Sequence, residues 1–200
     1  MDKKVEIDDD LLFRYKARIK HFKKGEYLAK TGSRPKSLYY IYSGHVKITN
    51  INEEGVEFLH GFNNPMEILG VGTYMGEYKF YNDFIAIEDV EVREISLDDF
   101  ELMIKENADV SRKIMTYLSD IINIKTITLS AVLGNDPREK ILFLLDKIKI
   151  YLLEEGNNLI PFTRQEMANF LGLRVETVIR SIKELESEGL LKIEKGKIFY

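Results

Sequence analysis

Glu176 and Arg180 stand four residues apart in TRQEMANFLGLRVETVIR, residues 163–180. On a helix that spacing puts them on one face, a turn apart, and two chemistries are open to such a pair. The acid and base can neutralise each other as an i,i+4 ion pair, worth roughly 0.2–0.5 kcal/mol on a solvated face. Alternatively, both can reach outward. An arginine forks onto O6 and N7 of guanine while a glutamate accepts from N4 of cytosine, so together they favour one G·C pair in a major groove. The surrounding elements decide between the two.

Thr163-Arg164-Gln165-Glu166 is a capping box, so a helix is expected to start near Arg164. Ala168, Gly172 and Val178 then follow at the spacing of a helix-turn-helix: a small residue for close helix approach, a glycine for the turn, and an apolar residue packing the second helix. Met167, Leu171, Leu173, Ile182 and Leu185 complete an inner face. Glu176, Thr177, Arg180 and Lys183 lie opposite the core set and are expected to face solvent. Leu190–Ile193, a turn at Glu194-Lys195-Gly196, and Lys197–Tyr200 form a terminal hairpin, a lysine-bearing wing. The combination reads as a winged-helix DNA reader. The charges from residue 163 onward nearly cancel, so attraction to DNA has to come from one face.

Upstream, Gly134-Asn135-Asp136-Pro137 ends one helix and starts another, with Gly134 as stop, Asp136 as N-cap and Pro137 at the first helical position. An amphipathic helix is expected from Arg138 to about Glu155. Before the break, a long helix spans roughly Asp109 to Leu133. Val110, Ile114, Tyr117, Ile121, Ile124, Thr128 and Ala131 repeat along it at heptad spacing. A second apolar set, Met115, Leu118, Ile122, Leu129 and Val132, lies beside the first. One set can pack on the helix's own domain and the other against a second copy. A central helix buried within one chain is the other reading.

From about His21 to Ile95 the sequence alternates in short strands, as in SLYYIYSGHVKITNI, and is punctuated by glycines, with Asn52-Glu53-Glu54-Gly55 as a hairpin turn. That pattern indicates a sandwich or barrel. Ser96 is the expected N-cap of a short helix after it. The organisation is therefore α+β: a β-roll at 1–108, a long dimerisation helix at 109–134, and a winged helix-turn-helix at 135–200.

Two hundred residues, 44% of them hydrophobic, can build real cores, and the net charge of −4 gives no general attraction to nucleic acid. No apolar run is long enough to span a bilayer, and the first residues carry no signal region, so no membrane partner and a cytoplasmic location are expected. Without cysteine there is no disulfide and no thiolate-held iron–sulfur cluster. A cupin-like, metal-dependent β-barrel enzyme with a helical appendage is the alternative from another class. Its metal site needs about three histidines and a carboxylate on adjacent strands. His21, His45 and His60 are isolated, and only His45 and His60 fall in strands, so neither a metal nor an axial haem ligand is expected.

These motifs resemble the Crp/Fnr family, the cyclic-AMP receptor and anaerobic-regulator transcription factors. The resemblance rests on the T-R-Q-E opening, the E-T-V-x-x-R helix, AKTGSRPKSLYYIYSGHVKI with NEEGVEFLHGF in the roll, and YMGE as a phosphate-cassette opening. It covers essentially the whole chain. It implies a bacterial homodimer joined along the long helix, bound to double-stranded DNA at a palindrome, and RNA polymerase as partner if the chain is an activator. Glu176 and Arg180 carry over as base readers, with Gln165, Thr177 and Lys183 on phosphates. Arg164 and Lys195 are further phosphate or flanking candidates. Val175 and Ile179 replace polar readers of relatives, leaving a TGA-core half-site with open outer bases. Arg174 replaces the small capping residue usual at the turn and is free to touch phosphate.

The family's nucleotide pocket has an arginine and a small hydroxyl residue after its glycine–glutamate. Here Gly76-Glu77 is followed by YKFYNDFIAIEDV, and Phe84, Ile85 and Ala86 stand where that pair would fall. A phosphate buried without a guanidinium is poorly compensated, which argues against cyclic AMP. Gly76, Glu77, Tyr78, Phe84, Ile85 and Asn123 are the candidate effector pocket. The aromatic residues there permit an apolar or aromatic effector; they suit an ordinary roll core as well, and control by abundance alone stays open.

Overall fold

The computed structural model describes residues 4–53, 55, 57–152 and 158–200, with backbone alone at 151 and 152. The described chain forms two compact units. One holds residues up to Asn50 with His60–Lys125, the other Ile51–Leu59 with Thr126–Tyr200.

The first unit opens with α1 (Asp9–Arg14), capped by Asp8, whose Oδ1 accepts from the Asp10 N–H at 3.2 Å. Strands β1 (Arg18–Phe22), β2 (Tyr27–Ala29), β3 (Ser37–Ser43), β4 (Val46–Ile51), β5 (Glu57–Asn63), β6 (Ile68–Leu69), β7 (Asp83–Ala86) and β8 (Val90–Ser96) follow, with α2 (Val71–Met75) between β6 and β7. They make two four-stranded sheets, β1-β8-β3-β6 and β2-β7-β4-β5. The expected hairpin turn has the Gly55 N–H donating to Asn52 O at 3.0 Å; Glu54 and Val56 lie outside the described residues.

The strand period of two explains how the roll is filled. On β3, Tyr39 and Ile41 turn to an inner cluster with Phe22, Leu28, Val46, Leu69, Phe80 and Val92, drawn from both sheets. Leu38 and Tyr40 turn the other way, into an outer cluster with Leu12, Ile95, Phe100 and Met103. The middle strand is thus buried on both faces.

Ser96 caps α3 (Leu97–Glu106) as expected, accepting from the Asp99 N–H at 3.1 Å. After it comes α4 (Ala108–Leu133). Here the structure corrects the heptad assignment. Val110, Ile114 and Tyr117 are 4%, 2% and 1% exposed inside the outer cluster of their own unit, and Ile121 packs against it. They cannot form a surface seam. Ile124, Thr128 and Ala131 are half-buried. The open apolar face is the neighbouring stripe: Met115, Ile122, Leu129 and Leu133 are 61%, 68%, 59% and 70% exposed. Periodicity showed two apolar stripes, and the roll's core takes the first; within it the Tyr117 hydroxyl donates to the Ile68 carbonyl at 3.2 Å. Burial drives that hydroxyl's pKa well above the ordinary tyrosine value, and nearby Glu67 raises it further.

Two polar clusters in this unit had no local sequence signature. Arg93 on β8 is 3% exposed, forks onto Asp9 (Nε–Oδ1 3.1 Å, Nη2–Oδ2 2.7 Å) and donates to Glu91 at 2.5 Å. The rings of Phe13 and Tyr42 stand 5.5 and 3.9 Å from its guanidinium carbon. Helix α1 is thereby tied to the sheet. Glu67, equally buried, accepts from the Asn63 and Asn64 amides at 2.8 and 2.9 Å.

The second unit takes Ile51 of β4, the first residues of β5 through Leu59 and the end of α4 from Thr126, and contains α5 (Pro137–Leu152), α6 (Arg164–Leu171), α7 (Val175–Ser187), β9 (Lys192–Glu194) and β10 (Lys197–Phe199). Asp136 caps α5, accepting from the Arg138 N–H at 2.9 Å, and the expected end of that helix beyond 152 lies outside the described residues. Ile141, Leu144, Leu145 and Ile148 of α5 pack with α6, α7 and Ile198 of the wing in one core. Tyr200 donates to Asp146 at 2.7 Å; burial first, then this bond, pushes its pKa up to about 12.

Candidate nucleic-acid interface

The capping box at α6 is complete. Thr163 Oγ1 accepts from the Glu166 N–H at 3.1 Å, and Glu166 Oε2 accepts from the Thr163 N–H at 2.8 Å. Gly172 ends the helix at φ 63, the left-handed conformation that an L side chain resists, so the chain turns at once into α7. Ala168 and Val178 meet in the core at 1% and 0% exposure, which is the close approach that their sizes allow.

Helix α7 buries Val178, Ser181, Ile182 and Leu185 and leaves Glu176, Ile179, Arg180 and Lys183 exposed; Thr177 and Val175 are half-buried. Among the described residues neither the Glu176 nor the Arg180 side chain makes a hydrogen bond or ion pair. The mutual salt bridge, the alternative raised by their spacing, is not formed. Arg174 occupies the N-cap, where it supplies no side-chain cap and stays exposed.

The rest of the predicted set is distributed around this helix. Gln165 is exposed and donates from Nε2 to Asn169 Oδ1 at 2.8 Å. Arg164 is half-buried and donates to the Gly196 carbonyl, tying the start of α6 to the wing turn. Lys195 and Gly196 form that two-residue turn with φ 48 and 79, both positive as a type I′ hairpin requires, and Lys195 is exposed at its tip. Leu159 bridges to Phe199 as an added strand edge.

The near-zero charge of the unit is unevenly used. Glu166 serves the cap, Glu186 accepts from the Ile193 N–H at 2.9 Å, and Glu188 pairs with Arg138 at 2.7 Å. Arg174, Arg180 and Lys183 have no such partner among the described residues. These three acids hold the scaffold, while Arg174, Arg180 and Lys183 stay exposed beside Glu176, so bases are open to a ligand along α7 and its N-cap although the unit has almost no net charge.

The candidate effector residues do not share one lining. Gly70, with φ 94, is the residue that opens α2, whereas Gly76 closes it: the Gly76 N–H donates to Gly72 O at 3.2 Å. The Gly76-Glu77 pair is therefore a helix end, not the cassette opening expected from YMGE. A Cβ on Gly76 would lie 2.3 Å from the Tyr78 ring, which itself is 69% exposed. Phe84 stacks edge-on with Phe80 at 5.4 Å in the inner cluster. Ile85 follows it on β7 and must point to the opposite face, so the two cannot line the same interior. Asn123 is exposed on α4. Among the described residues no group of three His, Cys, Asp or Glu could hold a metal ion, and no helix is long and apolar enough to cross a membrane.

Comparison with known proteins agrees with this architecture. Residues 19–107 match the cyclic nucleotide-binding domain family and residues 139–199 the Crp-like helix-turn-helix domain. The chain is 27% identical over 195 residues to the transcriptional activator protein Anr of Pseudomonas aeruginosa, covering 96% of this chain and 80% of that one. It is 27% identical over 184 residues to the fumarate and nitrate reduction regulatory protein of Yersinia pestis, covering 90% and 73%. In fold it is similar to FixK2 of Bradyrhizobium japonicum, with a TM-score of 0.78 at 20% identity over 92% of this chain and 91% of that one. A roll, a long helix and a winged helix-turn-helix in this order, with both domain matches and these relatives, place the chain in the Crp/Fnr family of DNA-binding transcription regulators, and not among enzymes.

Proposed function

We propose that the chain regulates transcription as a homodimer on a palindrome whose half-sites carry a TGA core. Glu176 and Arg180 of each copy read its G·C pair. The observation that carries this reading is that both side chains are exposed and unpaired near the start of the second helix of the helix-turn-helix, the part of such a helix that meets base edges. Arg174, Thr177, Lys183, Gln165 and the wing's Lys195 surround them and suit backbone phosphates, which fix register without reading sequence. The exposed stripe Met115–Ile122–Leu129, seven residues apart, is the face for the second copy along α4. RNA polymerase is a partner in the activating case.

The roll's effector, if one acts, is not a cyclic nucleotide. The start of β7 offers Asp83, whose carboxylate accepts from the Thr31 N–H at 2.7 Å, and then apolar Phe84 and Ile85, with no guanidinium on that strand for a phosphate. Selection of binding sites from random DNA is the test. It is expected to return an inverted repeat of TGA half-sites, unchanged by added cyclic AMP. Recovery of no common sequence, or of single half-sites alone, would overturn the reading.

A further inference from the structure

Ile179 is an exposed apolar residue of α7 whose chemistry the DNA-reading assignment does not use. It is 40% exposed, while Val178 and Ile182 beside it are 0% and 1% exposed. At 100° per residue it lies about 60° around the helix from Glu176, on the side of half-buried Val175. It adjoins Arg180 in sequence and sits one turn before Lys183. An isolated exposed isoleucine on an ordinary surface needs no explanation. Flanked by Glu176, Arg180 and Lys183, it is an apolar island among charges that have no partner among the described residues.

We propose that the Ile179 side chain reads the C5-methyl group of a thymine in a base pair next to the G·C pair bound by Glu176 and Arg180. This rests on the DNA-binding reading above. The major-groove edge of thymine is the one that presents a methyl group, and an aliphatic side chain recognises it by contact, where a serine or arginine would seek a hydrogen-bonding atom. A β-branched side chain on a helix keeps essentially one χ1 rotamer, so Ile179 offers its methyl groups in a fixed direction and loses little freedom on binding. The polarity of the neighbouring readers positions the duplex; the isoleucine then discriminates thymine from cytosine, whose C5 carries hydrogen.

The test uses the full-length protein and its selected palindrome. Each thymine of one half-site is replaced in turn by deoxyuridine, which removes the methyl and keeps every hydrogen-bonding group. Affinity is measured for the wild type, Ile179→Ala and Ile179→Ser. Burying one methyl corresponds to about a fourfold change in affinity. The wild type is expected to lose about that much at a thymine adjoining the G·C pair, and both variants are expected to bind the two oligonucleotides equally there. Because Ile179 is partly exposed, the thermal midpoints of the variants should match the wild type. Wild-type affinity that ignores every thymine-to-uracil change overturns the inference, as does a loss kept in full by Ile179→Ala. Either result leaves palindrome binding standing. A wild type that selects no DNA at all overturns the DNA-binding reading itself, and this inference with it.

Discussion

Arg93 in the roll is 3% exposed, with its fork filled by Asp9 and Glu91 and ring faces of Phe13 and Tyr42 against it. Arg180 on α7 is exposed and has no partner among the described residues. The roll turns its strongest polar groups inward, and Glu67 with Asn63 and Asn64 does the same. The winged helix uses Glu166, Glu186 and Glu188 in a cap, a turn and an ion pair, and leaves Arg174, Arg180 and Lys183 exposed and unpaired among the described residues. A charge satisfied within the chain stabilises the fold and has little left for a ligand. A charge left open at the surface gives the fold almost nothing and is available for recognition. Helix α4 contains both arrangements, with Tyr117 turned inward and Ile122 outward.

That contrast can be broken by substitution at each place. Ile122→Glu puts a charge on the exposed stripe of α4. It is expected to leave the fold intact, convert the dimer to monomer by light scattering, and weaken palindrome binding by about 10²–10⁴-fold through lost bivalency. A dimer mass together with unchanged DNA affinity would show that the stripe is not the interface. Arg93→Ala should destabilise the first unit by about 3 kcal/mol in denaturant titration. That is the lower end for a broken buried pair, because Asp9 and Glu91 keep some access to water. It should leave the selected half-site sequence unchanged. A cost of only a few tenths of a kcal/mol would show that the cluster holds nothing together.

The DNA-binding end was legible in the sequence because its determinants are local. A capping box spans four residues, Gly172 needs its left-handed turn whatever surrounds it, and Glu194–Lys197 closes its hairpin within two residues. The α4 seam was legible only by half. Heptad spacing reveals an apolar stripe, but not whether it meets the chain's own core or another copy. Val110, Ile114 and Tyr117 went to the core and left the second stripe outside. The Arg93 cluster joins residues 84 positions apart and had no local pattern to betray it. Helix α1 did leave a trace, Asp8-Asp9-Asp10 before Leu11-Leu12, which is an acidic first turn on an apolar run. In the candidate effector region the YMGE motif misled, since its glycine–glutamate closes a helix that Gly70 opens.

The central claim is that Arg180 reads a base. The direct measurement is the affinity of wild type and Arg180→Ala for the selected palindrome and for duplexes changed at the G·C pair of each half-site. The account predicts that the variant keeps its thermal midpoint, loses about 1–3 kcal/mol on the selected site, and no longer distinguishes that pair. An Arg180→Ala protein that binds the selected site as tightly as the wild type, with the same preference at that pair, would contradict it.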